Sequence, residues 1–132
     1  MRVWKVITDL TEEENEIVVD LFQEDDIQAI YEMDRNGEVY NWDNVIDGVM
    51  HPYFLCTEPV IDKISEICYR YGIKFGPIDI TEEFLMGMYE IPDSDFIRYR
   101  EENITEDIVY TKIKRFGADS LSDLDKWILE NS

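Results

Sequence analysis

The spacing of apolar positions changes several times along the chain, and each change marks an element. Val3 to Thr8 is β-branched and aromatic, which predicts a strand. Thr11-Glu12-Glu13-Glu14 has capping-box spacing and opens a predicted helix over 12–23. Its apolar face is Ile17, Val18, Leu21 and Phe22, while Glu13, Glu16, Asp20 and Glu24 fall elsewhere. Residues 27–33 and 38–42 flank Asn36-Gly37. That dipeptide suits a two-residue type I′ turn, so a hairpin is predicted there. Asp43 to Pro52 reads as a loop or short helix, and Tyr53 to Cys56 as a short strand.

The clearest element is a helix over 58–71. Thr57 suits the cap, Pro59 the first turn and Gly72 the position just beyond the end. Val60, Ile61, Ile64, Ile67, Cys68 and Tyr71 form one apolar stripe. Ile73 to Ile80 reads as a strand, and Gly76-Pro77 inside it points to a sheet edge or a bulge. The order is β-α-β-β-α-β. The fold class predicted is therefore α+β: a ferredoxin-like βαββαβ antiparallel sheet over residues 1–80.

From residue 81 the pattern becomes helical. Thr81-Glu82-Glu83 starts a short helix to about Tyr89, Ile91-Pro92-Asp93 breaks it, and 94–102 is ambiguous. Thr105 caps a helix over 106–116 with Ile108, Val109, Ile113 and Phe116 inward, and Gly117 ends it. Ser122 and Asp125 start a last helix with Leu124, Trp127 and Ile128 inward. The two predict a C-terminal helical hairpin. Residues 1–132 are expected to form a single acidic domain, with 81–132 a mainly helical extension. The acids Asp123, Asp125 and Glu130 make the last helix a poor DNA-recognition helix.

Composition matters chiefly through charge. There are 31 acids against 12 bases, a formal charge of −19, in a chain that is 45% hydrophobic. That much apolar content supports a folded core, so the acidity belongs to a globular protein. Direct binding to nucleic acid or to an anionic membrane is disfavoured, because both need a basic surface. The acids are also unevenly placed. Residues 1–62 hold sixteen acids and three bases, and residues 63–132 hold fifteen and nine. No base lies between Lys5 and Arg35, a stretch containing Glu13, Glu16, Asp20, Glu24, Asp25, Asp26, Glu32 and Asp34. Like charges four apart on a helix cost about 0.2–0.5 kcal/mol per pair. Tolerating several of them points to use as a binding face. Tyr40 and Trp42 follow the acids and add the aromatic character of interface hot spots; the simpler reading of alternating aromatics is cross-strand packing.

Several chemistries find little support. Glu32 to Asp43 matches an EF-hand loop at Asp34, Asn36, Gly37 and Val39, but begins with Glu and ends with Asp. His51 is the only histidine, and Cys56 and Cys68 lack zinc-ligand spacing and sit in apolar contexts that predict buried thiols. The six glycines form no phosphate loop. Carboxylate pairs are too abundant to single one out. No catalytic residue, metal or cofactor is expected. No signal peptide opens the chain and no apolar run spans a membrane, so a cytoplasmic location is expected.

These features predict an acidic inhibitor that masks a basic, nucleic-acid-binding surface on a nuclease, effector or toxin. It would act as a DNA mimic of the phage anti-defence (anti-CRISPR) kind, or as an immunity protein. The alternatives are a regulatory or scaffold module assembling through the aromatics or the C-terminal helices, and a small carboxylate-dependent enzyme.

Overall fold

The computed structural model describes residues 1–8 and 39–131. The chain divides into two compact units, Met1–Ile80 and Thr81–Ser132. The expected helix over 12–23 and the hairpin about Asn36-Gly37 lie outside the described residues.

The first unit is an antiparallel sheet with a helix. Its strands are β1 (Arg2–Ile7), β2 (Tyr40–Ile46), β3 (Val49–Cys56) and β4 (Gly76–Asp79), in the spatial order β2-β3-β1-β4. All three neighbouring pairs are antiparallel. Helix α1 (Glu58–Arg70) connects β3 to β4.

The predicted loop or helix over Asp43–Pro52 is overturned: these residues form the ends of β2 and β3. The cause is Asp47-Gly48, whose φ values of 52° and 78° make a two-residue turn with both central residues left-handed. This matches the twist of the flanking strands. The hairpin register runs from Ile46↔Val49 to Tyr40↔Leu55, so β3 is twice the length predicted from Tyr53–Cys56. Pro52 inside β3 is accommodated by register. Residues flanking a two-residue turn exchange hydrogen bonds, which places Pro52 opposite Asp43 at a non-bonded position of that pair. Its missing N–H therefore faces β1, and the β1–β3 register ends at Lys5↔Tyr53, one residue short of Pro52.

One sheet face carries Trp4, Phe54 and Cys56. Trp4 and Cys56 pack with Val60, Ile61, Ile64 and Cys68 of α1. Trp4 satisfies its indole by donating to the Cys56 carbonyl at 3.2 Å. The α1 stripe is buried as predicted from Val60 to Cys68. The helix ends at Arg70, leaving Tyr71 as its cap. Gly72 takes φ 71° beyond it, so that Ile73 N–H reaches back to the Cys68 carbonyl at 2.9 Å and Gly72 N–H to Tyr69 at 3.0 Å. The strand predicted over Ile73–Ile80 is only Gly76–Asp79. It lies at the end of the sheet order, where Pro77 is tolerated.

The second unit contains α2 (Thr81–Leu85), α3 (Ser94–Asn103), α4 (Glu106–Phe116), a 3₁₀ turn at Ala118–Ser120 and α5 (Asp123–Glu130). The ambiguous stretch 94–102 is helical because Asp93 caps it, accepting from Asp95 N–H at 3.0 Å and Phe96 N–H at 3.3 Å. The first helix stops at Leu85, short of the predicted Tyr89. Gly87 follows at φ 86°. Thr105 caps α4, and Ser122 with Asp125 makes a full capping box on α5. The core includes Phe84 and Phe96, whose rings meet edge to face at 6.1 Å. Two residues predicted to face inward do not. Phe116 is 48% exposed and Trp127 57%, because an apolar stripe specifies a face and not what covers it.

Candidate functional site

Of the residues predicted to bind a partner, Glu13, Glu16, Asp20, Glu24, Asp25, Asp26, Glu32 and Asp34 lie outside the described residues. Tyr40 and Trp42 are half-buried on β2, two positions apart and so on one sheet face. Tyr40 lies opposite Leu55 and Trp42 opposite Tyr53, with the Trp42 and Tyr53 rings 5.8 Å apart. Trp42 is thus engaged in a cross-strand aromatic pair.

Asp43, the twelfth position of the EF-hand match, sits within β2, where an EF-hand would begin its exiting helix. Among the described residues, no group of three or more His, Cys, Asp or Glu side chains could hold a metal ion. His51 and Cys56 share β3 but are five residues apart. They point to opposite faces, about 16 Å apart along the strand. Both cysteines are buried and neither forms a disulfide, and burial pushes the Cys68 thiol up to about 11. Among the described residues, no helix is long and apolar enough to cross a membrane.

Among the described residues, the most organised polar cluster is one the sequence does not announce. Asp125 is completely buried in the second unit. Its Oδ2 accepts from Lys112 Nζ at 2.6 Å and from the Ser122 backbone N–H at 2.9 Å. Oδ1 accepts no hydrogen bond, and faces Arg100 Nη2 at 3.5 Å. Arg100 Nε donates to the Leu85 carbonyl at 3.2 Å, tying the guanidinium to the end of α2. Burial disfavours the charged carboxylate, but the bonds from Lys112 and Ser122 and the Lys112 charge outweigh it. They hold Asp125 below the usual aspartate value.

This cluster borders a cavity of about 460 Å³ formed wholly within the second unit. Arg100, Lys112 and Ser122, with Glu90 and Glu101, contribute polar wall; Phe84, Ile91, Ile97 and Leu124 contribute apolar wall. Periodicity assigns Lys112 and Asp125 to solvated faces. The one local signal for Asp125 is its position three residues after Ser122, which marks a helix start and says nothing of its cationic partners. Compared with known proteins, the chain matches no protein-family model, no curated protein and no solved structure.

Proposed function

We propose that the protein acts by binding, presenting the carboxylates of residues 9–34 to a basic, nucleic-acid-binding surface of a target protein and so occluding it. The observation that carries this reading is the run from Lys5 to Arg35, in which eleven acids occur and no base. A surface meant only for solubility intersperses the signs. A single-sign stretch speeds encounter with an oppositely charged partner and fixes specificity. Both an anti-defence protein that mimics nucleic-acid charge and an immunity protein that covers a toxin's basic site use this chemistry. Tyr40 would supply aromatic contact beside the acids; Trp42, paired with Tyr53, would hold that strand in place.

The proposed architecture of residues 1–80 is the ferredoxin-like βαββαβ arrangement. The order β2-β3-β1-β4 with antiparallel neighbours, and α1 between β3 and β4, supports it. The expected helix over 12–23 would complete it. A second reading, assembly through the C-terminal helices, is favoured by Tyr110, Phe116 and Trp127, large aromatics left exposed on α4 and α5.

The triple charge reversal Glu13→Lys, Glu16→Lys and Asp20→Lys separates the two. Charge masking predicts that it abolishes capture of a basic target. Assembly through the helices predicts that capture survives, and is lost instead with Trp127→Ser.

A further inference from the structure

We propose that the cavity of the second unit binds a small monocarboxylate with an apolar body. Its cationic side chains are under-neutralised. Arg100 and Lys112 are mostly buried, with side chains 19% and 12% exposed, and they share one carboxylate, Asp125. The cluster therefore keeps one net positive charge inside a unit that is otherwise acidic.

The donor inventory leads to the same conclusion. A guanidinium offers five N–H groups and an ammonium three. Arg100 directs one at the Leu85 carbonyl and one nitrogen towards Asp125 Oδ1, and Lys112 donates to Asp125 Oδ2. Both side chains line the cavity, and none of their nitrogens is both buried and unbonded, so the donors not used within the cluster are open to solvent and to a ligand. A planar carboxylate supplies two oxygens and the missing negative charge together.

Gly87 makes room for this arrangement. Its φ of 86° suits glycine, and a Cβ there would lie 3.2 Å from Arg100 Nη2 and 3.8 Å from Lys112 Nζ. The backbone can thus run close beside both cations. Ile91, Ile97, Leu124 and Phe84 line the rest of the wall and suit an alkyl or aryl group. The volume falls within the range of about 300–1,000 Å³ usual for small-molecule sites. Glu90 and Glu101 also line the cavity and are exposed. Their charges partly offset the cationic wall and repel a dianion more strongly than a monoanion, which favours a ligand of single charge.

The test titrates the full chain with octanoate and, separately, with the neutral octanamide, following backbone amides by NMR. Octanoate is expected to shift the amides of Gly87, Glu101, Lys112 and Leu124 while leaving the β1–β3 strands unmoved. It should bind about tenfold more tightly than octanamide, the difference between a charged and a neutral hydrogen-bond partner. Ile97→Trp, at an exposed position of the wall, is expected to weaken octanoate at least as much while the melting temperature is kept. Equal affinity for the two probes, shifts centred on the strands, or no binding of octanoate overturns the proposal. If Ile97→Trp fails to fold, the comparison of the two probes on the unaltered protein decides alone.

Discussion

The two units hold their helices in different ways. In the first, α1 has no side-chain cap: Thr57 accepts from Ile61 N–H through its backbone carbonyl, but its hydroxyl makes no bond to the helix start. It is held by burial, with Val60, Ile61, Ile64, Ile67 and Cys68 all inside. In the second, α3, α4 and α5 are each capped by a side chain, from Asp93, Thr105 and Ser122. Each buries little: Phe96 in α3, Val109 in α4 and, in α5, the charged Asp125. A helix with a full apolar stripe can do without local stop and start signals. Short helices of 8 to 11 residues with thin stripes depend on them. The second unit also places a salt-bridged carboxylate at an interior position, which fixes three segments relative to one another through Lys112, Arg100 and Ser122.

The contrast can be broken most sharply at Asp125. Asp125→Ala leaves two mostly buried cations without their anion, and is expected to cost about 3–5 kcal/mol in denaturant unfolding of the full chain. In the first unit the comparable blow is apolar: Ile67→Ala should cost about 2–5 kcal/mol through lost burial and the cavity left behind. Caps give the next, smaller effect. Asp93→Ala and Ser122→Ala should each cost about 1 kcal/mol. Thr57→Ala, where no cap bond exists, should cost less than either. Equal losses at Thr57 and Asp93 would erase the distinction between the units.

Acid sharpens it further. Because Asp125 is held below the ordinary aspartate value of about 3.9, its contribution is present in full above that pH. It is lost as pH falls through the lowered value. The gap in melting temperature between the parent protein and Asp125→Asn should therefore be constant near neutrality and close in strong acid. The smallest effect concerns Cys68, whose thiol stays protonated at about pH 8 because burial raises it to about 11. Alkylation should be slow in the native protein and fast once it is unfolded.

What the sequence reveals divides along the same line. Helix α1 is legible because cap, proline, apolar stripe and closing glycine all agree, and Thr105 and Ser122 announce their helices by local chemistry. The Asp47-Gly48 turn carries a signal as strong as Asn36-Gly37, but Pro52 nearby argues against a strand. Only the register, which turns its missing N–H away from β2, removes the objection. The cap at Asp93 is obscured by Pro92 before it. Asp125 is the least legible of all. Its neighbours in space, Lys112 and Arg100, are 13 and 25 residues away, and helical periodicity places any aspartate on the surface. The exposure of Phe116 and Trp127 likewise depends on packing partners that an amphipathic pattern does not name.

The acidic run between Lys5 and Arg35 carries the proposed function, and its dependence on salt is the decisive property. The tagged, nuclease-treated protein would be used to capture partners at low and at high ionic strength, beside the Glu13→Lys, Glu16→Lys, Asp20→Lys variant. Charge masking predicts a basic nucleic-acid enzyme or toxin bound at low salt, released at high salt and absent with the variant. A partner retained at high salt and by the variant, or self-association alone, would contradict it.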